Sequence, residues 1–412
     1  MTRVVVVGAG AIGLCCAYAL RRRGLEVLVL DRGAPGSGAS HGNGGWICPA
    51  LSDPLPGPGI TLASLRWLLQ PESPLYIRPR LDPTFWRWLW RFRRHCNEEA
   101  YQRGLAALAD LNRSTHALFD TLARDGVSFE MHRQGLLSLY LSREAARTEA
   151  RHMAEMERFG CPPAQWLDPA PLRLVEPAVL PAVVAGLLLP GERHMRPETL
   201  LAGLQARLRE MGVEVRARAP VLGFERAGSL VTGVRTPRGV EPATRVILAA
   251  GVWSARLAAQ LGCPLPLEAG KGYSVTMAGP ATLLQRPLNL AEAHVGLSPF
   301  EGAVRVLGTM ELSGINHRVR TRRLEALKRA PSAYLRDWQP GPIREEWCGP
   351  RPVTPDGLPF IGPLPGVANV LVAAGHAMLG ITLAPATAEA VAALVVGERP
   401  QVALAPFRVD RF

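Results

Sequence analysis

The sequence has no uninterrupted apolar run that is long enough to cross a bilayer. Its N-terminal apolar stretch, residues 4–20, is broken by three glycines and carries no small-residue cleavage site, so it predicts neither a membrane span nor a signal peptide. The seven cysteines are odd in number and include no CxxC pair, which argues against a disulfide framework and against a zinc site. We therefore expect a cytoplasmic protein with reduced thiols.

Lysine is almost absent: only Lys271 and Lys328 occur among the 47 lysine and arginine residues, and the net charge is +12. The arginines are scattered apart from clusters at 21–23 and 91–94, whereas a nucleic-acid-binding surface gathers its charge into a patch or stripe. No HExxH, finger-like Cys/His spacing or GxSxG occurs. The sequence thus predicts no nucleic-acid partner, no metal site and no serine nucleophile.

The first 31 residues carry a specific motif. Val4–Val7 is a β-branched run typical of a strand that is buried on both faces, and the pattern G-x-G-x-x-G follows it directly at 8–13. The apolar stretch after the glycines and the arginines behind it predict a helix that ends near Arg23. A second strand, 26–30, leads to Asp31.

This order of strand, glycine turn, helix, strand and acid is the fingerprint of a dinucleotide site. Gly8 permits the tight turn, Gly10 lets the backbone approach a pyrophosphate, and Gly13 allows the helix to pack closely on the strand. The free amides of the helix start bind phosphates, and Asp31 can accept hydrogen bonds from a ribose. NAD and FAD share the fingerprint. The glycine-rich stretch 37–45 can wrap an extended cofactor, or it is a flexible surface loop.

The 412 residues, 48% of them hydrophobic, are enough for about two domains. Residues 53–59 are rich in proline and glycine and predict a connector out of the nucleotide-binding unit. A single helix is predicted at 100–124, strands at 127–131 and 135–141, and a charged helix at 143–159. This mixture suggests a second domain.

Further along, the pattern predicts a helix at 197–211, a short strand at 213–216, a meander at 220–236 and an apolar strand at 245–250. Residues 85–96 alternate aromatic and arginine residues at helical spacing. A core-facing helix with solvated arginines is the favoured interpretation, and contact with a membrane or a quinone-bearing partner is the alternative.

The sequence resembles the FAD-dependent D-amino acid oxidase-like family, and within it the bacterial D-amino acid dehydrogenases and glycine oxidase. The resemblance extends over almost the whole chain. It is carried by residues 4–31, 40–49 with Asn43-Gly44-Gly45, 247–254, 271–274, 351–362 and 375–385, and also by the aromatic segment 85–96 and by Met310-Glu311-Leu312 followed by Asn316.

The resemblance implies an α/β fold, in which a Rossmann-like FAD-binding domain carries an inserted α+β substrate domain with an antiparallel sheet. The FAD-binding domain is then discontinuous and comprises residues 1–50, 190–264 and 349–412. The substrate domain comprises residues 51–189 and 265–348.

The resemblance also implies roles for single residues. Arg351 matches the arginine that holds the substrate carboxylate, and a guanidinium can grip a carboxylate through two parallel hydrogen bonds. The helix start at 380–382 matches the segment that faces flavin N1 and the C2 carbonyl, where free amides favour negative charge. Met378 replaces a second arginine of glycine oxidase, which weakens any transfer of glycine specificity.

Four further residues are candidates with open alternatives. Tyr273 either closes over a small substrate with its hydroxyl or belongs to the core. His376 is shared with the family and is either structural or catalytic. His294 stands where the dehydrogenases have a tyrosine on a substrate-domain strand, a substitution that would tune side-chain preference. His41 is one position out of register with the histidine that links flavin covalently in some amine-oxidising relatives, so we expect noncovalent FAD.

The candidate catalytic residues are those expected beside the substrate: Arg351, Tyr273, His376, His294 and Met378. The candidate cofactor-binding residues offer small side chains, backbone donors or a surface for the adenine or isoalloxazine ring. They are Gly8, Gly10, Ala11, Ile12, Gly13, Asp31, Arg32, Ser40, His41, Asn43, Gly44, Gly45, Val221, Ala250, Gly251, Trp253, Arg351, Gly375, Leu379, Gly380, Ile381 and Thr382.

The implied reaction is oxidative deamination of a D-amino acid to a 2-oxo acid and ammonia, with hydride transfer to flavin N5. Alignment of the substrate does most of this work, and no charged base need act at Cα. The likeness to the dehydrogenases implies a quinone or respiratory-chain acceptor, and hence a cytoplasmic protein or one peripheral to the inner face of the cell membrane. The alternatives are oxidation of glycine, sarcosine, D-proline or D-hydroxyproline, by an oxidase or a dehydrogenase, and a noncatalytic FAD-binding subunit. The sequence leaves the oligomeric state open.

Overall fold

The computed structural model describes residues 3–68, 73–279, 284–339 and 341–412. Its helices are α1 (Ala11–Arg22), α2 (Ile60–Leu68), α3 (Pro83–His95), α4 (Glu98–Asn112), α5 (Thr115–Arg124), α6 (Arg143–Met156), α7 (Pro169–Val175), α8 (Pro197–Glu210), α9 (Ser254–Gln260), α10 (Thr321–Arg329) and α11 (Ala384–Val396).

The strands lie between and beside these helices in the described residues. They are β1 (Arg3–Val7), β2 (Glu26–Leu30), β3 (Trp46–Ile47), β4 (Leu75–Ile77), β5 (Met131–His132), β6 (Leu136–Tyr140), β7 (Gln165–Leu167), β8 (Ala185–Leu189), β9 (Arg193–Met195), β10 (Glu214–Arg216), β11 (Gly223–Ala227), β12 (Leu230–Thr236), β13 (Gly239–Pro242), β14 (Arg245–Leu248), β15 (Glu268–Ala278), β16 (Leu288–Leu290), β17 (Val295–Phe300), β18 (Ala303–Leu312), β19 (Ile343–Val353), β20 (Phe360–Pro363) and β21 (Val370–Ala374).

The first sheet is the dinucleotide-binding unit. Its strand order is β10-β2-β1-β14-β21-β20, and every pair is parallel except β20 with β21. The run Val4–Val7 is fully buried because helices α1 and α11 cover one face and an apolar cluster that includes α9 covers the other. The carboxyl ends of β1, β2 and β14 therefore meet at one edge of the sheet, where a parallel sheet binds its ligands.

The second large sheet comes mostly from the middle of the chain. Its strand order is β19-β15-β18-β17-β16-β6-β8-β7, and β4 pairs with the end of β18. The pairs β16 with β6 and β18 with β4 are parallel, and the rest are antiparallel. Two three-stranded sheets, β11-β12-β13 and β3-β9-β5, complete the architecture.

Two local predictions were wrong. The single helix expected at 100–124 is interrupted between α4 and α5, where Thr115 donates to Asn112 Oδ1 at 3.1 Å, because short polar side chains compete with the helical backbone. The strand expected at 127–131 begins only at Met131. The chain before it lies against α8, so closely that a Cβ on Gly203 would stand 2.1 Å from the Ser128 carbonyl oxygen.

In the described parts of the chain, no helix has the length and apolar character needed to cross a membrane.

Candidate functional site

A cavity of about 380 Å³ opens at the edge where β1, β2 and β14 end. Fifteen of the residues expected to contact a cofactor or substrate line it, and they come from distant parts of the chain. They are Gly8, Gly10, Ala11, Ile12, Asp31, Arg32, Ser40, Asn43, Val221, Ala250, Gly251, Trp253, His376, Gly380 and Ile381.

Asp31 is held at this edge by the backbone. Its Oδ2 accepts a hydrogen bond from the Ala9 amide at 2.7 Å, and its Oδ1 accepts one from the Gly33 amide at 2.8 Å. Both bonds fix the carboxylate at the end of β2 and leave acceptor capacity for a ribose. Ser40 crosses to α1, where its hydroxyl oxygen accepts from the Ala11 amide at 3.1 Å, so the glycine-rich loop folds over the helix start.

The glycine turn before α1 needs its glycines. Gly8 has a φ of 109°, and a Cβ there would stand 2.4 Å from the Ala249 carbonyl oxygen. A Cβ on Gly13 would stand 1.8 Å from the Gly8 carbonyl oxygen. Among the described residues, the amides of Ile12 and Gly13 have no acceptor, and no acid lies in the first turn of α1. The helix start is therefore free to bind an anionic phosphate.

A second set of free amides lies at the other end of the cavity. The helix expected to begin at 380–382 begins at Ala384, and the preceding residues form a turn. Within the described chain, the amides of Gly380, Ile381 and Thr382 have no acceptor, while Gly380 and Ile381 line the cavity. Successive unpaired donors form an anion-binding concavity whether or not they belong to the helix itself.

The two sets of donors fit FAD. A pyrophosphate carries the charge that the start of α1 can bind, and an isoalloxazine ring accumulates negative charge on the N1 side when it is reduced. Residues from both sets of free amides line the same cavity. Val221 and Trp253 line it as well. Trp253 is itself covered by the Arg32 guanidinium, 3.7 Å from its ring centre. The residues present are thus those that would hold the dinucleotide and its ring.

Arg351 lies on β19, beside β15. Its Nη1 donates to the Thr309 carbonyl oxygen at 2.8 Å, and its guanidinium lies flat on Gly272, where a Cβ would stand 2.2 Å from Cζ. No carboxylate of the described residues lies within 4.0 Å of it. Burial lowers the pKa of Arg351 to about 10, so the side chain is still protonated at neutral pH. A buried cation without an acidic partner is suited to an anionic ligand.

Tyr273 lies on the side of β15 that faces the core. Side chains alternate along a strand, so Tyr273 and Lys271 point to the face of β15 opposite Gly272 and Arg351. Tyr273 is fully buried in the core beneath α10, and its hydroxyl donates to Glu311 Oε2 at 2.8 Å. Burial, together with this hydrogen bond to Glu311, raises the pKa of Tyr273 well above its ordinary value. Of the two alternatives, core packing is the one that the structure favours.

His294 is placed differently from the prediction. It lies in the turn before β17 rather than on a strand, with a φ of 52°, and its ring stands edge-on to Trp67 at 5.1 Å. Met378 is 45% exposed on the loop after His376 and does not line the cavity. Neither residue contacts the described cavity.

His376 lines the cavity, but one of its ring nitrogens is already hydrogen-bonded within the protein. Its Nε2 shares a hydrogen bond with Thr387 Oγ1 of α11 at 3.0 Å, and burial lowers the pKa of the imidazole to about 3. His376 is therefore neutral at physiological pH, and its ring ties the turn to α11. These contacts favour the structural alternative.

His41 faces away from the cavity. Its Nε2 lies 2.7 Å from Glu345 Oε1, and within the described chain His41, Glu345 and Glu198 are the only group of three residues whose metal-ligating atoms lie together. Arg305 forms an ion pair with Glu198 and donates to the His41 carbonyl oxygen at 3.2 Å. The cation that these acids already hold is thus an arginine.

The other predicted residues do not line the cavity. They are Gly13, Gly44, Gly45, Arg351, Gly375, Leu379 and Thr382. Gly45 has a φ of 71°, and a Cβ there would stand 1.7 Å from the Met195 carbonyl oxygen. Thr382 donates to the Trp46 carbonyl oxygen at 2.9 Å, which holds the turn against the 41–45 loop.

Sequence reasoning missed several lining residues. Arg256 and Gln260 of α9 line the cavity beside Trp253, and their spacing of three and seven from that tryptophan was a usable helical signal. Pro350 and Pro352 flank Arg351 and also line the cavity. Thr309, the partner of Arg351, is far away in sequence and carried no signal.

The chain is similar to known proteins in both sequence and structure. The chain is 32% identical over 422 residues to a D-amino acid dehydrogenase of Granulibacter bethesdensis, covering 100% of this chain and 99% of that protein. It is 33% identical over 425 residues to a D-amino acid dehydrogenase of Methylobacterium radiotolerans, covering 99% of each. Among solved structures it is similar to glycine oxidase from Geobacillus kaustophilus, with a TM-score of 0.80, 25% identity and 100% of both chains covered.

The L-proline dehydrogenase of P. horikoshii has the same fold, with a TM-score of 0.75 at 20% identity over 97% of this chain and 94% of that one. The expected fold class is thereby confirmed. Residues 3–394 match the family described as FAD dependent oxidoreductase, and with the dinucleotide edge, the two sets of free amides and full-length relatives above 30% identity, the chain belongs to that family.

Proposed function

We propose that this protein oxidises D-amino acids to 2-oxo acids and ammonia and passes the electrons to an acceptor other than oxygen. The observation that carries the proposal is Arg351, a partly buried guanidinium that no acid of the described chain neutralises. The names of the full-length relatives support the same substrate class.

The chain's own residues bind and orient the substrate. Arg351 donates two parallel hydrogen bonds to the carboxylate, and Gly272 provides the flat surface on which the guanidinium rests. The residues that line the cavity would hold FAD, which would supply the hydride acceptor for oxidation at Cα. Burial lowers the pKa of His376 to about 3, which makes it a weak base, and its Nε2 shares a hydrogen bond with Thr387. Tyr273 faces the core, so neither residue is placed to act as a base. Alignment of the substrate then supplies most of the rate enhancement.

The direct test is anaerobic addition of D- and L-amino acids to the FAD-bound protein, followed by the loss of visible flavin absorbance. We expect D-amino acids to bleach the flavin and their L-enantiomers to leave it oxidised. If glycine, sarcosine or D-proline bleaches the flavin fastest, that compound replaces the other D-amino acids as the proposed substrate. A flavin that no amino acid bleaches would instead indicate a noncatalytic FAD-binding protein.

For the acceptor, we propose a quinone or respiratory-chain component reached at a membrane surface. Helix α3 buries Phe85 and Trp88 in the core, as the favoured interpretation expected, but Trp86 and Trp90 on its outer side are 53% and 56% exposed. Arginines beside them on the same helix are also exposed. Exposed tryptophan next to positive charge is suited to an anionic lipid interface.

Cosedimentation with vesicles that contain an anionic phospholipid tests this contact. The double change Trp86→Ser/Trp90→Ser removes the apolar part of the surface and should reduce vesicle binding about fivefold or more. Leu174→Ser, at a position 84% exposed on α7, is the matched control and should bind as the unchanged protein does. Equal binding by all three proteins, or none by any, contradicts the proposed membrane contact.

A further inference from the structure

The surface that carries Arg351 is interrupted by a β-bulge. Between β15 and β18, Lys271 pairs with Glu311 and Tyr273 pairs with Gly308, so the single residue Gly272 stands opposite two residues of β18. The extra residue is Thr309, whose φ is 62°. A left-handed conformation at a β-branched residue is an outlier that surrounding structure must impose. Bulges of this kind re-aim groups beside functional sites.

The bulge and the candidate substrate arginine coincide. Gly272, on the short side of the bulge, is the residue on which the guanidinium lies. Thr309, on the long side, turns its carbonyl oxygen to Arg351 Nη1 at 2.8 Å. This is the hydrogen bond by which the described residues hold the guanidinium. The distortion of β18 therefore sets the orientation of Arg351.

The Thr309 hydroxyl is buried and has no hydrogen-bond partner in the described chain. It belongs to the same residue whose carbonyl oxygen accepts from Arg351 Nη1 at 2.8 Å. Residues 307–310 of β18 and Arg351 keep partial exposure, although the rest of β18 toward Ala303 is buried. Partial exposure in the middle of a sheet indicates an opening above this patch. A buried hydroxyl without a partner calls for an explanation, and a ligand held by the neighbouring Arg351 would supply one.

We propose that Thr309 is a second substrate-binding residue: its carbonyl positions Arg351, and its hydroxyl donates a hydrogen bond to the same carboxylate that Arg351 binds. The inference rests on the proposed function, because it assigns the anionic end of that substrate. It extends the site by a residue on a strand that no motif marked.

The test uses the FAD-bound protein and two probes, benzoate as a carboxylate without an amine and D-alanine as a substrate. Benzoate binding is followed by the shift in the visible flavin spectrum, and D-alanine by steady-state kinetics with an artificial acceptor. Thr309→Val keeps the branched side chain and the backbone but removes the hydroxyl. We expect its benzoate Kd and its KM for D-alanine to rise about tenfold, since a hydrogen bond to a charged group is lost, with FAD content and Tm unchanged.

Two variants separate binding from packing. Thr309→Ser retains the hydroxyl and should restore both constants to within about threefold of the unchanged protein. Thr354→Val removes the other unpaired buried threonine hydroxyl of the described chain, at an ordinary backbone conformation, and should leave both constants unchanged. Unchanged constants in Thr309→Val overturn the proposal, as does a loss that Thr309→Ser fails to rescue.

The two proposals fail separately. If no amino acid reduces the flavin but benzoate affinity still depends on the Thr309 hydroxyl, the proposed oxidation is wrong and the carboxylate contact stands. If D-alanine reduces the flavin of Thr309→Val with the original KM, the oxidation stands and the contact is wrong.

Discussion

The two faces of β15 hold buried charge in opposite ways. On the face toward the core, Lys271 and Glu311 are each 1% exposed and lie 2.9 Å apart. Lys271 also donates to Asn316 Oδ1 at 2.8 Å, and Glu311 accepts from Tyr273 at 2.8 Å. On the other face, Arg351 has one carbonyl as its partner and no acid among the described residues.

The difference separates a charge that the protein neutralises itself from one that we propose binds the substrate. Lys271 and Glu311 satisfy each other, so they can be buried without a ligand. Arg351 has no acidic partner among the described residues. The folded protein therefore bears the free-energy cost of removing this charge from water until the guanidinium binds an anion. The pKa values agree with this division, since hydrogen bonds from Ser313, Lys271 and Tyr273 outweigh burial and lower the pKa of Glu311, while burial alone lowers that of Arg351.

We expect the largest effect from a change at Arg351. Arg351→Leu removes the charge that binds the carboxylate, so we expect kcat/KM for D-amino acids to fall by about 10³–10⁴, which corresponds to roughly 4–5.5 kcal/mol. Because an uncompensated buried charge is also removed, Tm and FAD content should be unchanged or higher. Steady-state kinetics and thermal denaturation measure both. An unchanged kcat/KM would show that Arg351 is not the carboxylate anchor.

At Lys271, one position from the bulge, we expect the reverse result, a loss of stability with little change in activity. Lys271→Met removes the closest cation of Glu311. It leaves Arg320 at 3.5 Å and Arg323 at 3.6 Å from the Glu311 carboxylate. We therefore expect a loss of unfolding free energy at or below the about 3–5 kcal/mol that an uncompensated buried charge costs. Denaturant unfolding should show this loss, while kcat/KM of the folded enzyme stays within about threefold.

The matched control is Arg103→Met, because the Arg103–Glu99 pair is 70% and 80% exposed and contributes at most about 1 kcal/mol. A variant with full stability and low activity would contradict the division.

The smallest expected effect concerns Glu176, a buried acid that does not line the cavity. It is fully buried, and one carboxylate oxygen accepts from the Gln285 amide at 3.1 Å while the other is unpaired. Burial raises the pKa of Glu176 to about 7 from 4.5, partly offset by that hydrogen bond and by Arg286. The folded state thus binds the proton more tightly, so stability is present below about pH 4.5 and is lost as pH rises through 7.

Glu176→Gln stays neutral at every pH and should remove this dependence. At pH 8 we expect the variant to be more stable than the unchanged protein by about 2–3 kcal/mol, and at pH 5 nearly equal to it. Thermal denaturation between pH 5 and pH 8 measures the difference. A pH dependence that is the same in both proteins would show that Glu176 is adequately compensated in the folded state.

The dinucleotide edge was predictable because its signals are local. The glycines at 8–13, the two strands around them and Asp31 lie within about thirty residues, and each acts through backbone geometry that the motif itself dictates. The structure places Asp31 at the end of β2, where its carboxylate accepts from the Ala9 amide. Arg351 was assigned through the family resemblance, and its role as the substrate anchor stays a prediction.

The errors arose where residue type was known but direction was not. Tyr273 was a reasonable candidate for the substrate side until strand register placed it beneath α10. His294 was assigned to a strand that begins one residue later. Thr309 was invisible, because only the pairing of β15 with β18 reveals the extra residue in β18.

By itself, the sequence determined the cofactor-binding half of this protein, since hydrophobic periodicity and glycine spacing act over a few residues. Only the tertiary structure decided which charges are paired, which face of the sheet carries Arg351 and where the bulge lies. The physical reason is that a one-residue change of register reverses the direction of every side chain on a strand, and register is set by contacts between segments far apart in the chain.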